Sequence, residues 1–255
     1  MRSRLFLLVG VLSLLGSAGA SFGAAFAVGA TSNIFLSGLN APLGTGIEPG
    51  GGLLPIEVSV VGGSTLTFTN ILISSFPAYL ACNVAKLDQV SYQVTSTDGG
   101  TCGTSTMTDI TGTGTGISGI MAPATMFLTG VFLTDSGPSG SDPATLDFTS
   151  MGTNFASLSP EVGQTFFIGD GMTGTGSGAL QQFVVPAGAT RLFLGFADAY
   201  DGIAFHGPNN YYGDNFGSVN GTVDSSLAPV PEPTTMALVG LGLCAAGFLR
   251  RRRAN

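Results

Sequence analysis

Few side chains in this sequence are equipped for chemistry, and most of them fall late in the chain. Asp198, Asp214 and Asn215 bracket a stretch that also holds Tyr200, His206, Tyr211 and Tyr212. Carboxylate and amide oxygens gathered at a loop rim are the hard donors that calcium takes, with carbonyls and water completing six to eight positions. The same residue types build ordinary β-turns, so plain turn chemistry is the competing reading. Tyr200, Tyr211 and Tyr212 offer ring faces for stacking on a sugar, or a small apolar core beside the loop. His206 is the only histidine, and no Gly-x-Ser-x-Gly elbow accompanies it, so a Ser–His–Asp hydrolase lacks its usual local sign. Asp and Glu are available, yet nothing in their spacing selects an acid–base pair. No catalytic residue is expected. Gly-x-Gly-x-x-Gly occurs at 114–119 and 169–174, but no helical pattern follows either copy and no lysine stands ready for a phosphate. Cys82 and Cys102 are separated by 20 positions and suit a disulfide in an oxidising compartment. The third cysteine, Cys244, lies in an apolar run near the end of the chain.

The elements that must position these residues read as strands. Charged residues make up only 9% of the chain, while glycine alone numbers 40. Helices of soluble domains need charged residues on their wet face, so this composition favours an all-β protein rich in turns. Short alternating or apolar runs at 56–61, 66–73, 90–95, 125–134, 165–168, 181–185, 190–196 and 218–223 are each bounded by Gly, Pro, Asp or Ser. Strands at that spacing predict a β-sandwich of jelly-roll type. The runs at 190–196 and 218–223 are expected to pair as an antiparallel ribbon, which would bring Asp198 towards Asp214 and Asn215. The Thr/Gly tracts 111–116 and 173–178 read as loops or irregular edges, and Asp170-Gly171 as a hairpin-type turn.

Both ends of the chain carry targeting patterns. Arg2 and Arg4 precede an apolar core at 5–15 and then small residues, the pattern of a secretory signal peptide. Small-x-small sites end at Ala20 and at Ala27, and the second is preferred because the patterned chain starts near residue 31. The divisions that follow are a signal peptide at 1–27, a β domain at 28–224, a linker and motif at 225–233, a membrane helix at 234–249 and a basic tail at 250–255. The uncharged run at 234–249 would reach about 24 Å as a helix, slightly short of a hydrocarbon core of about 30 Å. The arginines behind it hold that end in the cytoplasm and place the preceding domain outside the inner membrane. In 28–224, two cations stand against eleven aspartates and three glutamates, a net charge of −12. That sign disfavours nucleic acid, whose phosphates need Lys and Arg, and leaves divalent cations open.

Pro231-Glu232-Pro233, the apolar run and Arg250, Arg251, Arg252 and Arg253 stand in an order that resembles the PEP-CTERM sorting signal. The resemblance implies recognition by a membrane-embedded exosortase and cleavage near the motif. It also implies release or attachment at the surface of an exopolysaccharide-producing Gram-negative bacterium. Over 31–223 the chain resembles the sandwich domain common among PEP-CTERM proteins, through Val185-Pro186-Ala187-Gly188-Ala189-Thr190 and Tyr212-Gly213-Asp214-Asn215. That domain brings no established activity with it. About 30 residues are also similar to the calcium-dependent galactose-binding lectins of pseudomonads, whose calcium loop ends Gly-(Asn/Asp)-Asn-Ser-Gly-Ser before a strand. The likeness implies that Asp198, Asp214 and Asn215 ligate calcium that in turn holds sugar hydroxyls. Phe216 stands where that pattern has serine, and the loop from Asp198 to Asp214 is longer. The expected role is structural or adhesive, in or near the exopolysaccharide matrix. A calcium-dependent carbohydrate-binding module competes with it, and an extracellular hydrolase stands third.

Overall fold

The computed structural model describes residues 21–42, 51–75, 79–82, 92–103, 105–198 and 207–226. In chain order the strands are β1 (Ser21–Gly29), β2 (Ile56–Ser59), β3 (Thr65–Ile73), β4 (Leu80–Cys82), β5 (Tyr92–Val94), β6 (Thr108–Ile110), β7 (Ile120–Ala122) and β8 (Phe127–Leu133). The second half supplies β9 (Leu146–Asp147), β10 (Ser157–Leu158), β11 (Thr165–Phe167), β12 (Met172–Gly174), β13 (Ser177–Leu180), β14 (Gln182–Val184), β15 (Arg191–Ala197) and β16 (Ser218–Ser226). A 3-10 turn at Ile34–Leu36 and a short helix α1 (Phe148–Met151) are the helical pieces among the described residues. The domain is all-β, and each of the eight expected runs contributes a strand.

Two sheets share one apolar core, an arrangement consistent with a β-sandwich. Five strands run in the order β1-β16-β3-β14-β10, and four in the order β11-β8-β15-β2. Sequence periodicity explains their roles. In β3, Leu66 and Phe68 are buried between half-buried threonines, the alternation of a strand with one face inward. β8 and β15 are instead buried almost throughout, as expected of strands covered on both faces. One face of their sheet meets the five-stranded sheet where Phe166 packs 5.5 Å from Phe183, with Phe132 stacked 5.0 Å behind Phe166. The Ile34–Leu36 turn packs on the other face, against β15 and β8. Gly195 permits that approach, because a Cβ there would stand 2.9 Å from the Ser32 carbonyl oxygen.

The structure departs from the expected divisions at the domain's edges. β1 begins at Ser21 and pairs with β16 over nine positions, from Ser21 opposite Ser226 to Gly29 opposite Ser218. Phe26 and Val28 are core residues. A domain starting at Val28 would therefore lose most of this strand, and the domain's patterned chain starts ten residues before residue 31. At the other end β16 runs to Ser226 rather than stopping at 224. The tract at 173–178, expected as a loop or irregular edge, forms most of the β12–β13 hairpin, whose register shifts between Met172 and Gly174. Asp170-Gly171 does turn the chain, with the Gly171 amide donating to the Ile168 carbonyl. It joins no hairpin, however, since β11 pairs with β8 and β12 with β13.

Cys82 and Cys102 form a disulfide with Cα atoms 6.1 Å apart. Among the described residues no helix is long and apolar enough to cross a membrane. The expected span at 234–249, the motif and arginines, and residues 1–20 lie outside the described residues.

Candidate functional site

The site forms at the end of the domain where chain passes between the two sheets. β15 belongs to the four-stranded sheet and β16 to the five-stranded one, so the expected ribbon between them does not exist. The segment after β1 makes the connection. The Ala30 amide donates to the Gly217 carbonyl beside β16, and the Phe196 amide of β15 donates to the Ser32 carbonyl. Asp198 leaves the last residue of β15 as Asp214 and Asn215 approach the start of β16. All three side chains are buried, with relative exposures of 3%, 6% and 8%.

Tyr212 fixes this corner. Its hydroxyl donates to the Phe196 carbonyl at 3.0 Å and accepts the Asp198 amide at 3.1 Å. The ring is fully buried, and burial pushes its phenol well above the ordinary range. Tyr212 therefore presents no face for a sugar, which corrects the stacking role expected of it. Tyr211 is half-buried and adopts a left-handed backbone, φ 66°, a conformation uncommon outside glycine that sets the tight turn into Tyr212. Tyr200 and His206 lie outside the described residues.

The electrostatics of the corner are acidic. Burial raises the Asp198 carboxyl to about 7; hydrogen bonding from the Asn215 side chain opposes the rise, and the charge of Asp214 adds to it. Asn215 Nδ2 also donates to the Ala30 carbonyl at 3.2 Å, which turns its Oδ1 away from that carbonyl. Among the described residues, Asp198 Oδ2 and Asn215 Oδ1 are buried and accept no hydrogen bond. A buried oxygen in that condition costs free energy until something positive or donating meets it. No three His, Cys, Asp or Glu side chains gather at one point among the described residues. Here the carboxylates number two, and the further oxygen is an amide.

Sequence reasoning missed Asn33. It is fully buried, its Oδ1 accepts the Phe35 amide at 2.9 Å, and its Nδ2 donates to the Gly51 carbonyl, the Pro208 carbonyl and Asn209 Oδ1. One side chain thus ties the connecting segment to the loop that precedes Asp214. The available signal was Ser32-Asn33 ahead of Ile34-Phe35-Leu36, a cap residue followed by an apolar turn.

Other carboxylates serve turns. Asp142 accepts the Gly114 and Gly116 amides at 2.7 Å each, and Asp170 accepts those of Met172 and Gly176.

Comparison with known proteins adds the chain's address. The PEP-CTERM protein-sorting motif matches residues 229–253. No curated protein and no solved structure matches the chain, and the local lectin resemblance gains no support from these comparisons. The match begins three residues beyond the last residue of β16, and it covers the Pro-Glu-Pro triplet, the apolar run and the arginines together. The chain is thus an exported protein that carries a PEP-CTERM protein-sorting motif for exosortase processing.

Proposed function

We propose that this protein is a non-enzymatic component of the cell surface or extracellular matrix, with a structural or adhesive role linked to exopolysaccharide. The observation that supports this most is the order of parts: a disulfide-bonded all-β domain ends at Ser226, and the sorting motif follows at 229–253. In this reading the signal peptide exports the domain and the apolar segment at 234–249 holds it at the inner membrane. Exosortase then cuts near Pro231-Glu232-Pro233. The lectin-like alternative is weaker, because the comparisons give the local lectin resemblance no support.

The test follows the full-length chain by immunoblot through membrane, surface and medium fractions of a host with and without its exosortase. The expected result is an uncut, membrane-retained chain when the exosortase is absent, or when Pro231, Glu232 and Pro233 are all replaced by alanine. A matrix role further requires that the processed chain leave the cell-associated fraction in cells lacking exopolysaccharide. Unchanged fractionation in those cells would sink the matrix reading and leave the sorting result standing.

A further inference from the structure

We propose that two copies of this chain pair edge to edge through β1, antiparallel about a two-fold axis at Ala25, so that their five-stranded sheets continue into one another. β1 is the outer strand of its sheet, with β16 on its one bonded side. The phase of that pairing is set by the Ala30 amide, which donates to the Gly217 carbonyl. In an antiparallel pair the bonding direction alternates from residue to residue. Phe22, Ala24, Phe26 and Val28 therefore bond to β16, and Ser21, Gly23, Ala25 and Ala27 turn their N–H and C=O groups to the open edge. None of those four finds a backbone partner there among the described residues. The free stretch ends at Gly29, whose carbonyl accepts the Ser32 amide.

An open edge of this kind invites another strand, and sheets normally shorten it, bend it or charge it. The other outer strands of the two large sheets follow that rule. β10 has two residues, β11 three and β2 four, and β2 carries Glu57. β1 has nine residues and no proline, and its ladder to β16 runs without a register shift. No charged residue occurs from 21 to 47. Gly23, Ala24, Ala25 and Ala27 are exposed, with side chains too small to hold another backbone away. Ala24 is a second, separate sign. It shares a face with the buried Phe26 and Val28, yet it is exposed. The core stops short of that end of the strand, and an added strand would cover it.

A second β1 suits the edge. Pairing about Ala25 sets Gly23 against Ala27 and Ala25 against itself, each giving and accepting a bond, the self-matching that a two-fold requires. On the inner face Phe26 comes opposite Ala24, a large side chain beside a small exposed one.

The test uses the chain as its host exports it, extracted in detergent and measured by sedimentation equilibrium from about 1 to 100 μM. The expected result is a protein mass that doubles over this range. Ala25→Pro removes an outward N–H that serves no bond inside the domain, at a place where an edge strand tolerates proline. That variant stays monomeric with an unchanged circular-dichroism spectrum. If proline prevents folding, Ala25→Lys makes the same comparison by setting like charges face to face across the axis. In a Cys244→Ser background, Ala25→Cys gives a disulfide-linked dimer on a non-reducing gel, because bonded pairs stand about 5.5 Å apart at Cα. Leu72→Cys, on β3 and 67% exposed, does not. A parent that stays monomeric overturns the proposal. So does a dimer that survives in a folded Ala25 variant, as one held by the membrane segment would, or that crosslinks equally at residue 72. The sorting assay reads no oligomer and stands apart from these outcomes.

Discussion

At the scale of single residues, the corner depends on groups that do not themselves face a ligand. Tyr212 is the clearest case, since its hydroxyl serves one buried donor and one buried acceptor at once. Tyr212→Phe keeps the ring and strands both backbone groups, which should cost about 1–3 kcal/mol. The expected outcome is a midpoint lower by several degrees in circular-dichroism melting of the purified chain; an unchanged midpoint would show that the hydroxyl is dispensable. The tyrosine was visible in the sequence, but its role was not. Tyr211 and Tyr212 are adjacent and chemically alike, and only the left-handed backbone at Tyr211 sends one ring fully inward while the other stays half-exposed. By contrast Asp198, Asp214 and Asn215 were singled out by residue type alone. What spacing could not supply was the partner segment Ala30–Asn33, more than 160 positions earlier, which bonds to Phe196 near Asp198 and to Asn215.

At the scale of elements, β1 decides where the mature domain begins. Removal of residues up to Ala27 would leave β16 without its neighbour over seven of nine pairs and take Phe26 from the core. We expect the mature chain to begin at Ser21, after Ala18-Gly19-Ala20, and N-terminal sequencing or intact-mass analysis of exported protein checks it. The sequence misleads here for a physical reason. Ala25 and Ala27 sit on the exposed face of a strand, and Phe26 lies between them because it points inward. The same three residues satisfy a small-x-small cleavage pattern. Strands with clear alternation or long apolar runs, such as β3, β8 and β15, were readable because burial on one or both faces dictates their composition. Two-residue strands such as β9 and β10 carry too few side chains for any period to register. Phe183 tests how much the contact between sheets matters. It lies 5.2 Å from Phe68 on its own sheet and 5.5 Å from Phe166 on the other. Phe183→Ala should destabilise the domain by about 3–5 kcal/mol, read as a lower midpoint in urea; a loss under 1 kcal/mol would mean that the sheets close over the gap.

At the scale of the whole molecule, the chain is an export product whose structural means suit life outside the cytoplasm. The disulfide between Cys82 and Cys102 closes a loop of 20 positions, for which the loss of unfolded-state entropy contributes about 3 kcal/mol. Cys102→Ser should lower the midpoint accordingly, and reductant should lower the parent's to the same value; a parent indifferent to reductant would contradict that contribution. Ion pairs add little, since the one among the described residues, Arg191 with Glu57, is partly exposed.

The β1–β16 ladder has a mechanical consequence. β16 lies between β1 and β3, and the chain departs for the sorting motif from its Ser226 end. A pull along β16 from that end would act across hydrogen bonds that run perpendicular to the strand. Bonds on both flanks then resist together in shear, instead of opening one after another as they would at a peeled edge. A domain held by that tether would be loaded through a strand that is hydrogen-bonded on both flanks.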